Sequence, residues 1–196
     1  LRLVGSEMCI RDRYYKPAIF GVIAVIALIF GIKDYYEQSK IKTVLSMTVV
    51  NSMANDTETP EQKIKETLGY KDDPYSKVEI GVNLTTDSEM AEFDYNAQMA
   101  YVAQIQAGSI DIMVMPEKLY QNLKKNEPFA DLKELMGEEA FEKFGMQTDT
   151  THISITDSEL EQELGVIYDP VCIAVPYSAP NQENAVKWIK SLDSRK

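Results

Sequence analysis

Hydrophobic residues come first as one unbroken block, then in short groups whose period switches between two and about 3.6. The block is Pro17 to Ile32, PAIFGVIAVIALIFGI, without a charge. Tyrosine pairs bracket it, Tyr14-Tyr15 before and Tyr35-Tyr36 after. From Tyr15 to Tyr35 a helix rises about 30 Å, the thickness of the hydrocarbon layer, which places both pairs at the interfaces. Lys16 and Lys33 can snorkel outward at the two ends. Residues 14–36 are therefore expected to form a membrane anchor, with the lipid bilayer as partner of Pro17–Ile32. No small-residue cleavage site follows Ile32, and no cysteine follows to carry a lipid, so an uncleaved signal-anchor is expected.

Past a linker at 37–41, strand and helix signals alternate through 42–196. Thr43–Val50 is β-branched and reads as a strand. In Thr59-Pro60-Glu61-Gln62, Thr59 is the expected N-cap, Pro60 the first helical residue and Gln62 the partner in a capping box, with Gly69 as the stop. Val78–Leu84 alternates with period two, as an edge strand with one wet face does. A helix is expected from Ser88 or Asp94 to Ala107, its stripe of Tyr95, Met99, Val102 and Ile105 packed into the core and Gly108 capping its end. Ile110–Met115 and Val171–Val175 are continuous apolar runs, fit for central strands. Pro116 can begin a helix with Leu119, Tyr120 and Leu123, and short helices are marked by Leu132, Leu135, Phe141 and Phe144. The polar stretch Gly145–Leu164 holds a β-like patch at His152–Thr156 and an acidic helical patch at Asp157–Leu164. Asn181–Leu192 is the last amphipathic helix. The order implies an α/β fold in three layers, around a parallel or mixed sheet with right-handed crossovers.

Charge changes the picture of partners. The 196 residues hold 31 acidic and 20 basic side chains, a net charge of −11. Before Lys33 the basic Arg2, Arg11, Arg13 and Lys16 face only Glu7 and Asp12, so the acidity belongs to the domain. Such a surface repels phosphate backbones, and nucleic acid is not an expected partner. Residues 1–13 (LRLVGSEMCIRDR) lack an initiator methionine, show no helical or strand period, and resemble translated adapter sequence; they read as non-native. The domain is expected outside the cytoplasm, at the cell membrane on a single span.

Candidate chemistry is sparse. His152, the one histidine, has no neighbouring cysteine or second histidine in sequence, and no Gly-x-Ser-x-Gly nucleophile motif occurs. Cys9 and Cys172 fall on opposite sides of the expected span and cannot pair within one chain. Within Val171–Val175, Cys172 reads as a small buried hydrophobe. Asp157, Glu159, Glu161 and Glu163 lack the glycine and spacing of a calcium loop and read as a solvated face. No glycine-rich phosphate loop is present. No metal, cofactor or enzymatic activity is expected.

Three segments carry a resemblance. Tyr95–Met99 with Ile105-Gln106-Ala107-Gly108-Ser109-Ile110-Asp111-Ile112-Met113-Val114, then Phe129–Leu135, then Val171–Pro176 with Ala179–Ile189, resemble extracellular solute-binding proteins of bacterial type, of the type 2 periplasmic binding fold. In order they match a helix ending in Ala-Gly before a strand with an early Asp, the stretch after the third strand, and the return into the first lobe. About Ile41 to Leu192 is covered. The resemblance implies a domain like lobe 1 of that fold. Only some 25 residues, about Gly145 to Asp169, stand where the family has a second lobe, too few for a domain.

In open parallel sheets ligands sit beyond the carboxyl ends of the strands. Those ends carry Asn51, Ser52 and Asn55; Thr85, Thr86 and Asp87; and Pro116, Glu117 and Tyr120, and the resemblance implies the same loops. Amides and hydroxyls beside a Tyr120 stacking face suit a small polar solute. Two functions fit: a membrane-anchored solute-binding or sensing module, or a surface domain docking another envelope protein. The first calls for a cavity lined by Asn51, Thr85 and Tyr120; the second for a filled strand-end surface with an apolar patch elsewhere.

Overall fold

A computed structural model describes residues 7–145, 149–156 and 158–193. The chain divides into two units, Leu1–Lys42 and Thr43–Lys196. The first is dominated by helix α1 (Glu7–Gln38). Within it Ile19–Gln38 is long and apolar enough to cross a membrane, with a mean hydropathy of 1.8. Length and composition fit a spanning helix and a signal sequence alike, and Phe20, Leu28 and Phe30 stand exposed along it. Glu7–Arg13, aperiodic in sequence, lies in the same helix. Propagating an existing helix costs far less than nucleating one, so no apolar period is required there.

The second unit is built on one mixed sheet of five strands, β1 (Lys42–Val50), β2 (Ser76–Leu84), β3 (Ile112–Pro116), β4 (His152–Ile155) and β5 (Val171–Ala174), in the order β2-β1-β3-β5-β4. β1 runs parallel to β3, with Val49 opposite Val114. β5 runs antiparallel to both neighbours, with Cys172 opposite Met115 and Ser154. The sheet is thus mixed rather than wholly parallel. After β4 and helix α7 (Ser158–Leu164) the chain is still at the carboxyl ends of β1 and β3. There Leu164 O accepts from Ser52 Oγ and Gly165 O from Met53 N. Entered from that end, the last strand must run backwards.

Helices cover both faces, giving the expected three layers. One face packs Leu45, Met47, Val114 and Ile173 against Ile64 and Leu68 of α2 (Glu58–Leu68), Leu132 of α5 (Leu132–Met136), Phe141 of α6 (Glu138–Glu142), Leu160 of α7, and Trp188 and Ile189 of α8 (Gln182–Asp193). The other packs Met113, Met115, Cys172 and Ala174 under Ala97 and Tyr101 of α3 (Tyr95–Gln106) and Leu119 and Tyr120 of α4 (Glu117–Leu123). β3 and β5 are buried along their whole length in the centre of the sheet, and β2 alternates at its edge. The residues between Gly145 and Val171 contribute β4 and α7 to this same sheet, so no second lobe lies among the described residues there; Asp157 of the expected helix falls outside them.

Two local expectations are corrected. α2 starts at Glu58 with N-cap Thr57, which makes no side-chain cap. The Asp56 carboxylate does that work, accepting from Glu58 N at 2.9 Å and Thr59 Oγ1 at 2.5 Å. α3 is turned so that Tyr95, Met99 and Val102 are exposed, at 81%, 60% and 38%, while Ala97 and Tyr101 are buried and, of the expected stripe, Ile105 is half-buried against the core. Both sides of α3 are apolar at helical spacing, and the side with small alanines lets the helix approach the sheet more closely.

Candidate functional site

The short polar residues at the strand ends mostly bond to one another or to neighbouring backbone. Asn51, at φ +53°, donates its N–H to Leu84 O and its Nδ2 to Thr86 Oγ1 at 2.6 Å, while Thr86 N returns a bond to Asn51 Oδ1 at 2.9 Å. Ser52 Oγ donates to Leu164 O at 2.7 Å. Thr85 bonds the Asp94 carboxylate, which caps α3 by accepting from Ala97 N at 2.8 Å. Asp87 Oδ1 accepts from Ala91 N at 3.0 Å and closes the loop before Phe93. Asn55 is exposed and apart. Tyr120 is fully buried, its ring centroid 5.4 Å from that of Phe129 and 4.2 Å from that of His152, so no solute can stack on it as expected. The expected site residues that bond among the described residues hold turns, a helix cap and the footing of α4.

Glu117 and Tyr120 instead belong to a polar cluster between α4 and strands β4 and β5. Tyr120 Oη donates to Asp149 Oδ2 at 2.7 Å and lies 2.6 Å from Thr151 Oγ1. Lys124 Nζ reaches the same Asp149 oxygen. Burial raises the Asp149 carboxyl, but bonds from Lys124, Tyr120 and Thr151 outweigh it and hold the group well below the usual carboxylate range. Glu117 accepts from Gln121 Nε2 at 2.8 Å and Ser154 Oγ at 2.7 Å; these bonds and His152 overcome burial and lower its carboxyl too. His152 is 7% exposed, with Nδ1 3.3 Å from Asp149 Oδ2 and Nε2 3.5 Å from Glu117 Oε2. The Nδ1–Asp149 approach has the distance but not the alignment of a hydrogen bond, and Nδ1 is buried without a hydrogen-bond partner among the described residues. Cys172 is a free, fully buried thiol, as its apolar run implied, and burial followed by the charge of Glu117 pushes it well up. Donor atoms of Glu117, His152 and Cys172 all lie within 4.8 Å of one another. Sequence spacing hid this trio, because the three come from separate segments joined only by the β3-β5-β4 register. The period of two that puts His152 and Ser154 on one face of β4 was the available signal.

A third feature lies between α3 and α4, a cleft of about 510 Å³ lined in part by Phe93, Tyr95, Gln98, Tyr101, Asn122 and Asn126. At its floor Tyr101 is 1% exposed, and its hydroxyl is buried with no hydrogen-bond partner among the described residues. Burial, then the nearby Glu127 charge, raises the Tyr101 phenol, so it stays a neutral donor. Asn122 is tied by its amide to Ala91 O at 2.9 Å and accepts from Lys125 Nζ at 2.8 Å. Comparison with protein-family models, with curated proteins and with solved structures gives no match.

Proposed function

We propose that this chain is a non-catalytic binding module, tethered by α1 to a membrane with its α/β domain on the extracytoplasmic side, that takes a small polar solute in the α3–α4 cleft. One observation carries it: Tyr101, whose buried phenol donor has no acceptor among the described residues, lines a cleft of about 510 Å³, within the size range of small-molecule sites. Phe93 and Tyr95 offer ring faces, and Gln98 and Asn126 offer amides, to a neutral or cationic solute with an acceptor for Tyr101. The resemblance of the chain to one lobe of a solute-binding protein supports the same class of function. With one sheet among the described residues, this reading invokes no closure of two lobes around the solute.

A panel of sugars, amino acids and polyamines tests the reading by thermal shift on the detergent-solubilised full chain. At 100 times Kd a ligand of the native state adds about 2.7 kcal/mol. Tyr101→Phe and Gln98→Ala should abolish the shift, and a shift indifferent to both removes the cleft from the account. For the tether, an impermeant maleimide on intact cells should label an Asn55→Cys variant and spare Cys9; the reverse pattern inverts the orientation.

The outer side of α3 favours a second reading. This helix carries no charged residue in a chain of net charge −11, and exposes Tyr95 and Met99. Depletion of charge with exposed Tyr and Met is the composition of a protein interface. Replacing both Met99 and Val102, exposed on α3 and outside the cleft lining, by Ser separates the readings, since docking would be lost while a Tyr101-dependent solute shift survives.

A further inference from the structure

The trio under α4 has chemistry that neither turn formation nor the cleft uses. We propose that Glu117, His152 and Cys172 form a binding site for a divalent transition-metal ion of the zinc type, with a fourth position left to water or a partner's donor atom. The three residues supply carboxylate, imidazole and thiolate, the donor set that zinc takes and that magnesium and calcium do not. Their donor atoms lie within 4.8 Å of one another, and a tetrahedral zinc with bonds of about 2.0–2.3 Å needs separations of about 3.3–3.8 Å. A contraction on the order of 1 Å closes that difference. The His152 Nε2 to Glu117 Oε2 separation, 3.5 Å, already lies in that range, so the contraction concerns the distances to the Cys172 sulfur.

The imidazole carries the independent evidence. Its Nε2 faces Glu117 at 3.5 Å, and its Nδ1, buried without a hydrogen bond, faces Asp149 at 3.3 Å. Metal-bound histidines place one nitrogen on the ion and direct the other N–H at a carboxylate that fixes the ring. Asp149 stands in that second position, held by Tyr120 and Lys124, and the Tyr120 ring packs on the imidazole at 4.2 Å. A small ring rotation completes the Nδ1–H···Oδ2 bond as Nε2 engages the ion. A depression of about 270 Å³ borders the site at Glu117, its walls carrying Glu89 and Asp169 against one Lys118. On binding, the Cys172 thiol gives its proton to solvent and its sulfur lone pair to the ion; no redox step is involved.

The test uses the full chain in detergent, purified without a polyhistidine tag and with Cys9→Ser so that Cys172 is the sole thiol. Cobalt(II) as probe should give a near-ultraviolet thiolate charge-transfer band with visible bands of tetrahedral intensity, and one equivalent of zinc should abolish both. His152→Gln and Cys172→Ser should each weaken zinc binding at least tenfold, and Asp149→Asn by about 10- to 100-fold. Trp188 fluorescence, from a buried reporter outside the site, verifies folding of each variant. A cobalt spectrum without the thiolate band overturns the site whether or not any variant folds. So does zinc affinity unchanged by His152→Gln, which would place the ion on surface carboxylates.

Discussion

Replacing Tyr101 by Phe should stabilise the ligand-free protein, against the usual direction of core substitutions. The ring stays where it is, 1% exposed and 5.0 Å from the Phe93 ring; only the hydroxyl is lost. That hydroxyl is buried without a partner among the described residues, a state that costs about 1–3 kcal/mol. A void of one oxygen atom, on the order of 10 Å³ at roughly 24 cal/mol per Å³, returns only about 0.2 kcal/mol of the gain. In a domain of this size 1 kcal/mol moves Tm by about 2–4 °C, so a rise of about 2–10 °C is expected. Tyr168 is the internal control, since its hydroxyl donates to Val50 O at 3.0 Å and Val114 O at 3.2 Å. Tyr168→Phe should lose about 0.5–1.5 kcal/mol. Calorimetry on both variants decides. A fall in Tm for Tyr101→Phe matching that of Tyr168→Phe would show the Tyr101 hydroxyl to be satisfied, and the cleft would lose its unmet donor.

Three further outcomes follow from the same coordinates. Asp111 is fully buried and accepts from Ser46 N at 2.8 Å, Asn181 N at 2.8 Å and Asn181 Nδ2 at 3.0 Å; Asp111→Ala strands those donors and should cost about 3 kcal/mol or more in urea unfolding. A Cβ on Gly165, at φ +64°, would meet Ala54 N at 2.5 Å, whereas one on Gly108, at φ +60°, meets nothing within 4 Å; Gly165→Ala should cost more than about 2 kcal/mol and Gly108→Ala about 1, and equal losses would deny the close approach. Acid should unfold the domain late: the Ala97 N–H and Thr85 lower Asp94, the Glu134 N–H and Thr150 lower Asp131, and the bonds to Asp149 outweigh its burial. Folded values below the unfolded one, about 3.9, stabilise fully above it and lose that contribution as pH falls through the folded values. Tm should therefore hold from pH 7 to about 5 and drop below about 4, less steeply in Asp131→Asn.

Where one physical rule decides an element, the sequence alone predicts it. The apolar runs of β3 and β5 demand burial on both faces, and both strands are central. Alternation in β2 demands one wet face, and β2 is at an edge. α3 escaped because two rules compete along it. Its large apolar stripe and its alanine stripe both recur at helical spacing, and which one turns inward depends on how near the sheet allows the helix to come. The direction of β5 escaped because alternation of strand and helix says nothing about the end from which the chain re-enters the sheet. That end is fixed by the bonds of Leu164 and Gly165 to the loop after β1, contacts across more than a hundred residues.

The candidate site follows the same logic one level up. Asn51, Ser52, Thr85 and Thr86 were singled out by residue type and place, and the place is right: all stand at strand ends. Type could not tell whether an amide or hydroxyl faces a solute or a neighbour, since Asn51 and Thr86 complete each other through two bonds. Polar groups that satisfy one another have little left to offer a ligand without breaking what they hold. Among the described residues, four buried side-chain atoms lack a hydrogen-bond partner: the Tyr101 hydroxyl, His152 Nδ1, Glu161 Oε1 and Trp188 Nε1; the first lies at the cleft and the second in the cluster under α4. Each of these two sits in a segment that read as core or as an isolated residue. A buried donor without an acceptor shows only when the whole fold has been assembled around it, which is why residue type and strand-end position alone did not single out Tyr101 or His152.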